Sequence, residues 1–198
     1  AEIHSVEIAC LPPGPRAEGK WPWGNSAKEH PRYQELLDSN KLHCGDASDY
    51  AFLSSLWTTK IRRQGAPPLR VVVEDGATVD HQMAATLFFW FPRLQPHGIL
   101  IVENVQTNPD ANKFRTELLH QALKDVHYCG NQDEDNSYHM KEHACFPTIW
   151  PLLQSIHCEI NICVFERNEQ PAIEYGKDQY VPPANTFNGE HCLLRHAD

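Results

Sequence analysis

The chain lacks any long hydrophobic run, and it has few basic side chains. No apolar stretch approaches the roughly 20 residues needed to cross a bilayer, so we predict no transmembrane segment and membrane association only through partners. Lys and Arg number 17 against 26 Asp and Glu, which gives a formal net charge of −9. An acidic chain is repelled by nucleic acid and by anionic membrane surfaces, so we predict no nucleic-acid partner.

The cysteines lack the spacing of a disulfide framework or of a common metal motif. The chain has 7 of them, an odd number, and no Cys-x-x-Cys pair. We therefore predict reduced, mostly buried thiols in a reducing intracellular compartment. The chain begins at Ala1 without a methionine or a signal peptide, so we expect an upstream segment to have been removed. Import into a chloroplast or mitochondrion is a setting compatible with such processing.

Hydrophobic periodicity and turn residues predict an α/β fold. We expect a Rossmann-like, mostly parallel sheet flanked by helices, with a C-terminal antiparallel strand. The predicted strands cover residues 3–10, 41–44, 69–74, 99–103 and 156–165, and the predicted helices cover 32–40, 49–63, 79–94 and 112–126. This domain spans residues 1–166. Residues 167–198 form a polar, Pro-rich extended tail that we expect to order on a partner surface.

Two apolar runs end in acidic or polar residues and carry the main functional signal. The first is Val-Val-Val-Glu-Asp-Gly at residues 71–76, and Ile-Val-Glu-Asn follows at 101–104. Glu103 stands 28 positions after Asp75, and the segment between them has helical spacing. A strand, a helix and a second strand with oxygen-bearing side chains at both strand ends are typical of a small-molecule or metal site in an open parallel sheet.

These motifs, together with Gly-Asp-Ala-Ser-Asp at 45–49 and Phe-Pro-Arg-Leu-Gln-Pro-His-Gly at 91–98, resemble class I S-adenosylmethionine-dependent methyltransferases. More narrowly, the chain is similar to the metal-dependent macrolide and cephalosporin-type O-methyltransferases. That family shows Gly-Asp-Gln-Ser-Asp, then Asp-Asp-Gly-Ser-His, then Phe-Pro-x-x-x-Pro-Gly-Gly-x-Tyr-x-Ile-Glu-Asp. The resemblance covers residues 3–166, with the motifs in the same order.

The resemblance implies a role for each matching residue. Glu7 would hold the ribose hydroxyls of S-adenosylmethionine, and Asp46 would contact its adenine side. Asp75 and Glu103 match two ligands of a Mg²⁺ ion, and Asn104 stands at the third ligand position. In the family that ion activates a substrate hydroxyl for methyl transfer.

The sequence also departs from the family pattern. Thr78 occupies the position of the family's histidine base, and its hydroxyl does not accept a proton near neutral pH. His81, three residues further on, is an alternative base or simply a surface histidine at the start of a helix. Asn104 brings no charge where the family has an aspartate. The family's first strand and its Gly-rich cofactor loop would precede the strand that carries Glu7, and this chain starts after that point.

A second cluster has spacing that could bind zinc. His-x3-His places two imidazoles on one helical face, and two thiolates would complete a tetrahedral site. A long acidic loop and unusual cysteine spacing favour coincidence instead. The residues concerned are His127, Cys129, His139, His143 and Cys145.

Two functional hypotheses follow. The first is an active O-methyltransferase that uses S-adenosylmethionine and Mg²⁺ on a small-molecule hydroxyl. The second is a catalytically impaired methyltransferase-like domain that serves as a binding or structural accessory subunit among protein partners in a larger, candidate organellar, assembly. Fold alone does not separate them. Thr78, Asn104 and the missing loop favour the second.

Overall fold

The computed structural model describes residues 2–8, 32–76, 80–107, 112–128, 149 and 152–169. The chain divides into two compact units, residues 1–67 and 68–198. Thr78, the predicted tail from residue 170 onward, and the zinc candidates other than His127 lie outside the described residues, and so does the side chain of His127. The predicted boundary between a domain and its tail stays a prediction.

The first unit contains a pair of parallel strands, and a described helix lies between them in the sequence. Its elements are β1 (Ser5–Glu7), α1 (Arg32–Asp38), β2 (Leu42–Cys44), α2 (Tyr50–Leu56) and a π-helical turn (Trp57–Ile61). The strands pair from Ser5 opposite Leu42 to Glu7 opposite Cys44. Asp49 caps the start of α2, because its Oδ1 accepts the N–H groups of Ala51 at 2.9 Å and Phe52 at 3.2 Å.

The second unit is built on a four-stranded sheet. Its elements are β3 (Val71–Glu74), α3 (Asp80–Trp90), a 3₁₀ turn (Phe91–Arg93), β4 (Ile99–Val102), a π-helical turn (Phe114–Leu118), α4 (Leu119–Tyr128), β5 (Leu153–Cys158) and β6 (Cys163–Arg167). The strand order is β3-β4-β6-β5. β3 and β4 are parallel, whereas β6 pairs antiparallel with both of its neighbours. These elements confirm the α/β fold class with parallel strands and a C-terminal antiparallel element.

Aromatic side chains fill the core of this unit. Residues 83–90 are all buried, and Phe89 and Phe91 have no exposed surface. Phe165 on β6 makes edge-to-face contacts with Phe91 and with Phe114, each at 6.3 Å between ring centroids. These contacts pack helical segments against one face of the sheet, and each buried ring contributes roughly 2–3 kcal/mol of hydrophobic stabilisation.

The prediction of one strand over residues 156–165 was wrong. β5 ends at Cys158, β6 begins at Cys163, and the Glu159 N–H donates to the Ile162 carbonyl at 2.8 Å to close a turn between them. Alternating apolar residues continue through this turn, which contains no Gly or Pro. Period-two hydrophobicity therefore hides the hairpin, although Ile160 is 91% exposed at its tip.

The prediction of reduced thiols was wrong for three cysteines. Cys158 and Cys163 form a disulfide across the hairpin, with a Cα–Cα separation of 4.1 Å, and Cys44 is also disulfide-bonded. The hairpin register sets Cys158 directly opposite Cys163. A spacing of five residues reveals this pairing only when the turn between the two strands is known.

Candidate functional site at the β3 and β4 strand ends

The ends of β3 and β4 bring the two predicted carboxylate ligands to neighbouring positions. Glu74 pairs with Val102 in the parallel register, and the Glu103 N–H donates to the Glu74 carbonyl at 2.9 Å. Asp75 and Glu103 are therefore the first residues beyond two adjacent strand ends. Asp75 is exposed and Glu103 is half-buried. This arrangement follows from two parallel apolar runs that stop at the same edge of the sheet.

Asn104 turns back toward β3. Its φ is +60°, in the left-handed region that Asn tolerates better than most residues. Its carbonyl accepts the N–H of Thr107 at 3.0 Å and the hydroxyl of the same residue at 2.8 Å, which closes a turn after β4. The side-chain amide then donates from Nδ2 to Asp75 Oδ1 at 3.1 Å. The residue at the third ligand position thus forms a hydrogen bond with one of the other two.

Glu74 and Asn112 shape the two loops beside these strand ends, and neither was predicted as a site residue. Glu74 is buried, and its Oε1 accepts the Gly76 N–H at 3.0 Å. Asn112 is also buried; it donates to the Thr107 carbonyl at 3.2 Å and accepts the Arg115 N–H at 3.1 Å. Glu74 fixes the loop after β3, and Asn112 joins the loop after β4 to the following helix. A polar side chain at the end of an apolar run was the only sequence signal for Glu74.

His81 lies on the surface at the start of α3, and its role as an alternative base stays a prediction. Its side chain is 71% exposed, and its Nδ1 lies 3.9 Å from Asp80 Oδ1. Asp80 accepts the His81 backbone N–H at 2.8 Å and the Lys113 N–H at 3.3 Å. Asp80 therefore connects the starts of two helical segments. Among the described contacts of His81, none reaches Asp75, Glu103 or Asn104.

In the first unit, Glu7 and Asp46 lie at the carboxyl ends of the paired strands β1 and β2. The Gly45 N–H donates to the Glu7 carbonyl at 3.2 Å, so the parallel pairing extends to this point. Asp46 Oδ1 accepts the N–H of Ser48 at 2.8 Å and its hydroxyl at 2.7 Å. These bonds give Asp46 a structural role in the turn that leads to Asp49. Its predicted contact with adenine stays a prediction, as does the ribose contact of Glu7.

A stacked histidine pair in the same unit was not predicted. His4 Nδ1 lies 2.9 Å from His43 Nε2, and the ring centroids are 5.2 Å apart. The carboxylate of Glu2 lies 3.3 Å from His4 Nε2 and also binds Arg63. His43 is 8% exposed. Burial, followed by the charges of His4 and Lys60, lowers the pKa of His43.

The strand-end side chains do not form a ready Mg²⁺ site. Mg²⁺ requires oxygen ligands in near-octahedral geometry, and Asp75 and Glu103 supply such atoms. Asn104 presents an N–H toward Asp75, not its carbonyl oxygen. A Mg²⁺ ion bound by all three residues would require the Asn104 amide to reorient, and their predicted role as metal ligands stays a prediction.

No protein-family model matches the chain, and no curated protein is similar to it. Among solved structures, the chain is similar to MycE methyltransferase from the mycinamycin biosynthetic pathway in complex with Mg, SAH and mycinamycin VI. The sequence identity is 15% and the TM-score is 0.45, and the match covers 69% of this chain and 34% of that one. Two crystal forms of MycE with Mg and SAH match at 16% identity, with TM-scores of 0.49 and 0.48, over 79% of this chain and 38% and 37% of theirs. The chain thus spans little more than a third of the length of these solved chains.

No helix among the described residues is long and apolar enough to span a membrane. The other partner predictions stay predictions.

Proposed function

We propose that this chain is a methyltransferase-like domain with impaired methyl transfer, which serves as a binding or structural accessory subunit. The motifs at 45–49, 71–76 and 91–104, which occur in the same order as in the family, support the methyltransferase-like assignment. The hydrogen bond from Asn104 to Asp75 is the observation that carries the proposed impairment. It occupies one ligand carboxylate with a neutral donor.

The chemistry of that bond disfavours a cation. A metal ion that binds Asp75 and the Asn104 carbonyl must first break the amide–carboxylate hydrogen bond, which costs about 1 kcal/mol for exposed groups. The amide then offers a neutral oxygen where the family has a carboxylate. The site would hold Mg²⁺ with one negative charge fewer than the family pattern supplies.

The lack of a suitable general base also supports impaired methyl transfer. Thr78 stands at the family's base position, and a threonine hydroxyl is too weakly basic for this role. His81 is the remaining candidate, and its ring is directed to the surface beside Asp80. An acceptor hydroxyl at the strand ends would therefore lack a suitably placed base among the described residues.

S-adenosylmethionine remains the proposed ligand of the domain. Glu7 is the last residue of β1 and Asp46 lies just beyond β2, the position at which acidic side chains bind a ribose and the neighbouring base in such folds. The alternative is an active, Mg²⁺-dependent O-methyltransferase. The adjacency of Asp75 and Glu103 favours that alternative.

Calorimetric titration of the purified chain with S-adenosylmethionine, with and without Mg²⁺, tests the proposal. We expect Mg²⁺ to leave the affinity unchanged, and we expect no S-adenosylhomocysteine to form with hydroxyl acceptors. Glu7→Gln should weaken binding about tenfold, whereas the matched control Glu35→Gln, on the exposed helix α1, should not. Mg²⁺-enhanced binding or product formation would establish the active enzyme instead. Absence of binding would leave a purely structural subunit.

The accessory role needs its own measurement. We expect the protein from its native source to elute in a larger assembly than the purified chain does. Elution of the native protein as the free chain would contradict an accessory role, whatever the outcome of the titration.

A further inference from the structure

The disulfide between Cys158 and Cys163 closes its hairpin at the same end of the sheet as the candidate site. Cys158 pairs with Cys163 across the hairpin, and Cys163 pairs with Val102, the last residue of β4. Paired residues of neighbouring strands share a face of the sheet, so the disulfide lies on the same face as the fully buried Val102. The register thus sets the disulfide beside the residue that directly precedes Glu103.

A backbone hydrogen bond links the turn of this hairpin to the loop after β4. The Val105 N–H donates to the Asn161 carbonyl at 3.3 Å, and Val105 is 4% exposed. Asn161 lies within the turn at 159–162, which the disulfide closes. Val105 directly follows Asn104, whose left-handed backbone and side-chain amide shape the strand ends. A change in the turn therefore reaches the Asn104 backbone through one hydrogen bond and one peptide unit.

The disulfide is a strong constraint on this turn. Residues 159–162 contain neither Gly nor Pro, and Ile160 at the tip is 91% exposed, so burial of that side chain does not stabilise the turn. The Glu159 N–H donates to the Ile162 carbonyl at 2.8 Å. The two cysteines are 5 positions apart, and the chain-entropy relation for a ring of this size shifts the opening equilibrium by up to about 40-fold. Loss of the disulfide should therefore raise the open fraction of the turn.

We propose that reduction of the Cys158–Cys163 disulfide loosens the loop at 103–107 and thereby the placement of Asn104 in the candidate site. In the disulfide form, the turn holds the acceptor of the Val105 N–H in place. In the dithiol form, the turn opens more often, this hydrogen bond breaks with it, and the Asn104 amide separates more often from its carboxylate partner. The proposal is independent of whether the strand ends bind S-adenosylmethionine or a metal ion.

The hairpin exposes one of the two cysteines to a reductant and buries the other. Cys158 is exposed, whereas Cys163 is 1% exposed. The thiolate of a dithiol reductant attacks the Cys158 sulfur and forms a mixed disulfide there, while the Cys163 sulfur leaves with the bonding electron pair and takes up a proton. The second thiol of the reductant then displaces the Cys158 sulfur, which also takes up a proton. The reductant is oxidised to a disulfide, and the hairpin gains two electrons.

Amide hydrogen exchange of the full chain, measured residue by residue by NMR, tests the proposal. Wild type is compared after treatment with oxidised glutathione and after reduction with dithiothreitol, and mass spectrometry verifies the state of the Cys158–Cys163 bond. We expect the Val105 N–H to exchange about 10- to 40-fold faster after reduction. The Arg167 N–H donates to the Gly98 carbonyl at 2.9 Å at the other end of the same strand pair, and its exchange should change less than about twofold.

Two variants separate this disulfide from the one at Cys44, which dithiothreitol also reduces. Cys158→Ser should exchange at the fast rate at Val105 with or without dithiothreitol. The matched control Cys44→Ser should keep the wild-type response at Val105. Circular dichroism verifies the folding of each variant, and the wild-type comparison needs no substitution, so it remains decisive if a variant misfolds.

Several results would overturn the proposal. The first is equal exchange at Val105 in the oxidised and reduced wild type. The second is an equal acceleration at Arg167, which would show a general loosening of the sheet. The third is a response to dithiothreitol that survives in Cys158→Ser or disappears in Cys44→Ser. The last is a folded chain in which the Cys158–Cys163 bond does not form under oxidation or is not reduced by dithiothreitol.

Discussion

Asn104→Asp tests whether the amide at the third ligand position suppresses metal binding. The change replaces the N–H that lies 3.1 Å from Asp75 Oδ1 with a second carboxylate. Asp tolerates a left-handed backbone nearly as well as Asn does, so the φ of +60° at this position adds no new strain. The variant therefore isolates charge and hydrogen bonding from backbone geometry.

The expected change in the free energy of unfolding follows from the exposure of the site. Two like charges about 3–4 Å apart in water repel by roughly 1 kcal/mol. Loss of the amide–carboxylate hydrogen bond adds about 1 kcal/mol. We expect the metal-free variant to lose about 2 kcal/mol of unfolding free energy in total. Mg²⁺ should reverse this loss, because a ligand at 100 times its Kd stabilises the folded state by about 2.7 kcal/mol.

The assay is urea unfolding with and without Mg²⁺ at constant ionic strength. Wild type should gain little stability from Mg²⁺, whereas Asn104→Asp should gain most of what it lost. Asn104→Gly is the matched control; it keeps the left-handed turn, loses the hydrogen bond and should show no Mg²⁺ response. The reasoning fails if the Asp variant is as stable as wild type without metal, or if wild type responds to Mg²⁺ equally.

Further predictions concern the framework. Gly98→Ala should cost about 1–3 kcal/mol in urea unfolding, because its Cβ would lie within 3.0 Å of two backbone carbonyl oxygens. His97→Gly should stabilise the chain by up to about 1 kcal/mol in the same assay, since His97 has φ +60°. Asp49→Ala should lower the melting temperature through a loss of about 1 kcal/mol at the α2 cap. Burial lowers the pKa of His43, so below about pH 6.5 the unfolded state binds more protons than the folded state does. The free energy of unfolding should therefore fall as the pH drops from that value. His43→Gln should reduce this pH dependence, as measured by urea unfolding over a pH series.

Local sequence patterns predicted the elements that form the frame of the site. Local hydrophobic patterns specify β3, β4 and the helix between them. The observed bounds of these elements therefore agree closely with the predicted ones. The C-terminal hairpin was not predictable in the same way. Its turn at Ile160 carries no glycine or proline, and its disulfide follows from the pairing of two strands.

The candidate site was predictable in position but not in bonding. Parallel strands end at one edge of a sheet, so Asp75 and Glu103 were expected to be neighbours. The direction of the Asn104 amide depends on a left-handed backbone and on the turn to Thr107, which no local pattern specifies. The His43 contact with His4 joins residues 39 positions apart and depends entirely on strand pairing.

The turn after β4 explains why position 104 can change chemistry without changing the fold. The left-handed backbone favours Asn, Asp or Gly at position 104. Thr107 donates its two hydrogen bonds to the backbone carbonyl of residue 104, not to the side chain. Asn and Asp therefore support the same turn, and they differ in whether the side chain donates to Asp75 or repels it. Two neighbouring carboxylates are stabilised by a bound cation, whereas the hydrogen bond between an amide and a carboxylate needs none. We therefore propose that the charge at position 104 decides between a metal-binding and a metal-independent form of the same strand-end geometry.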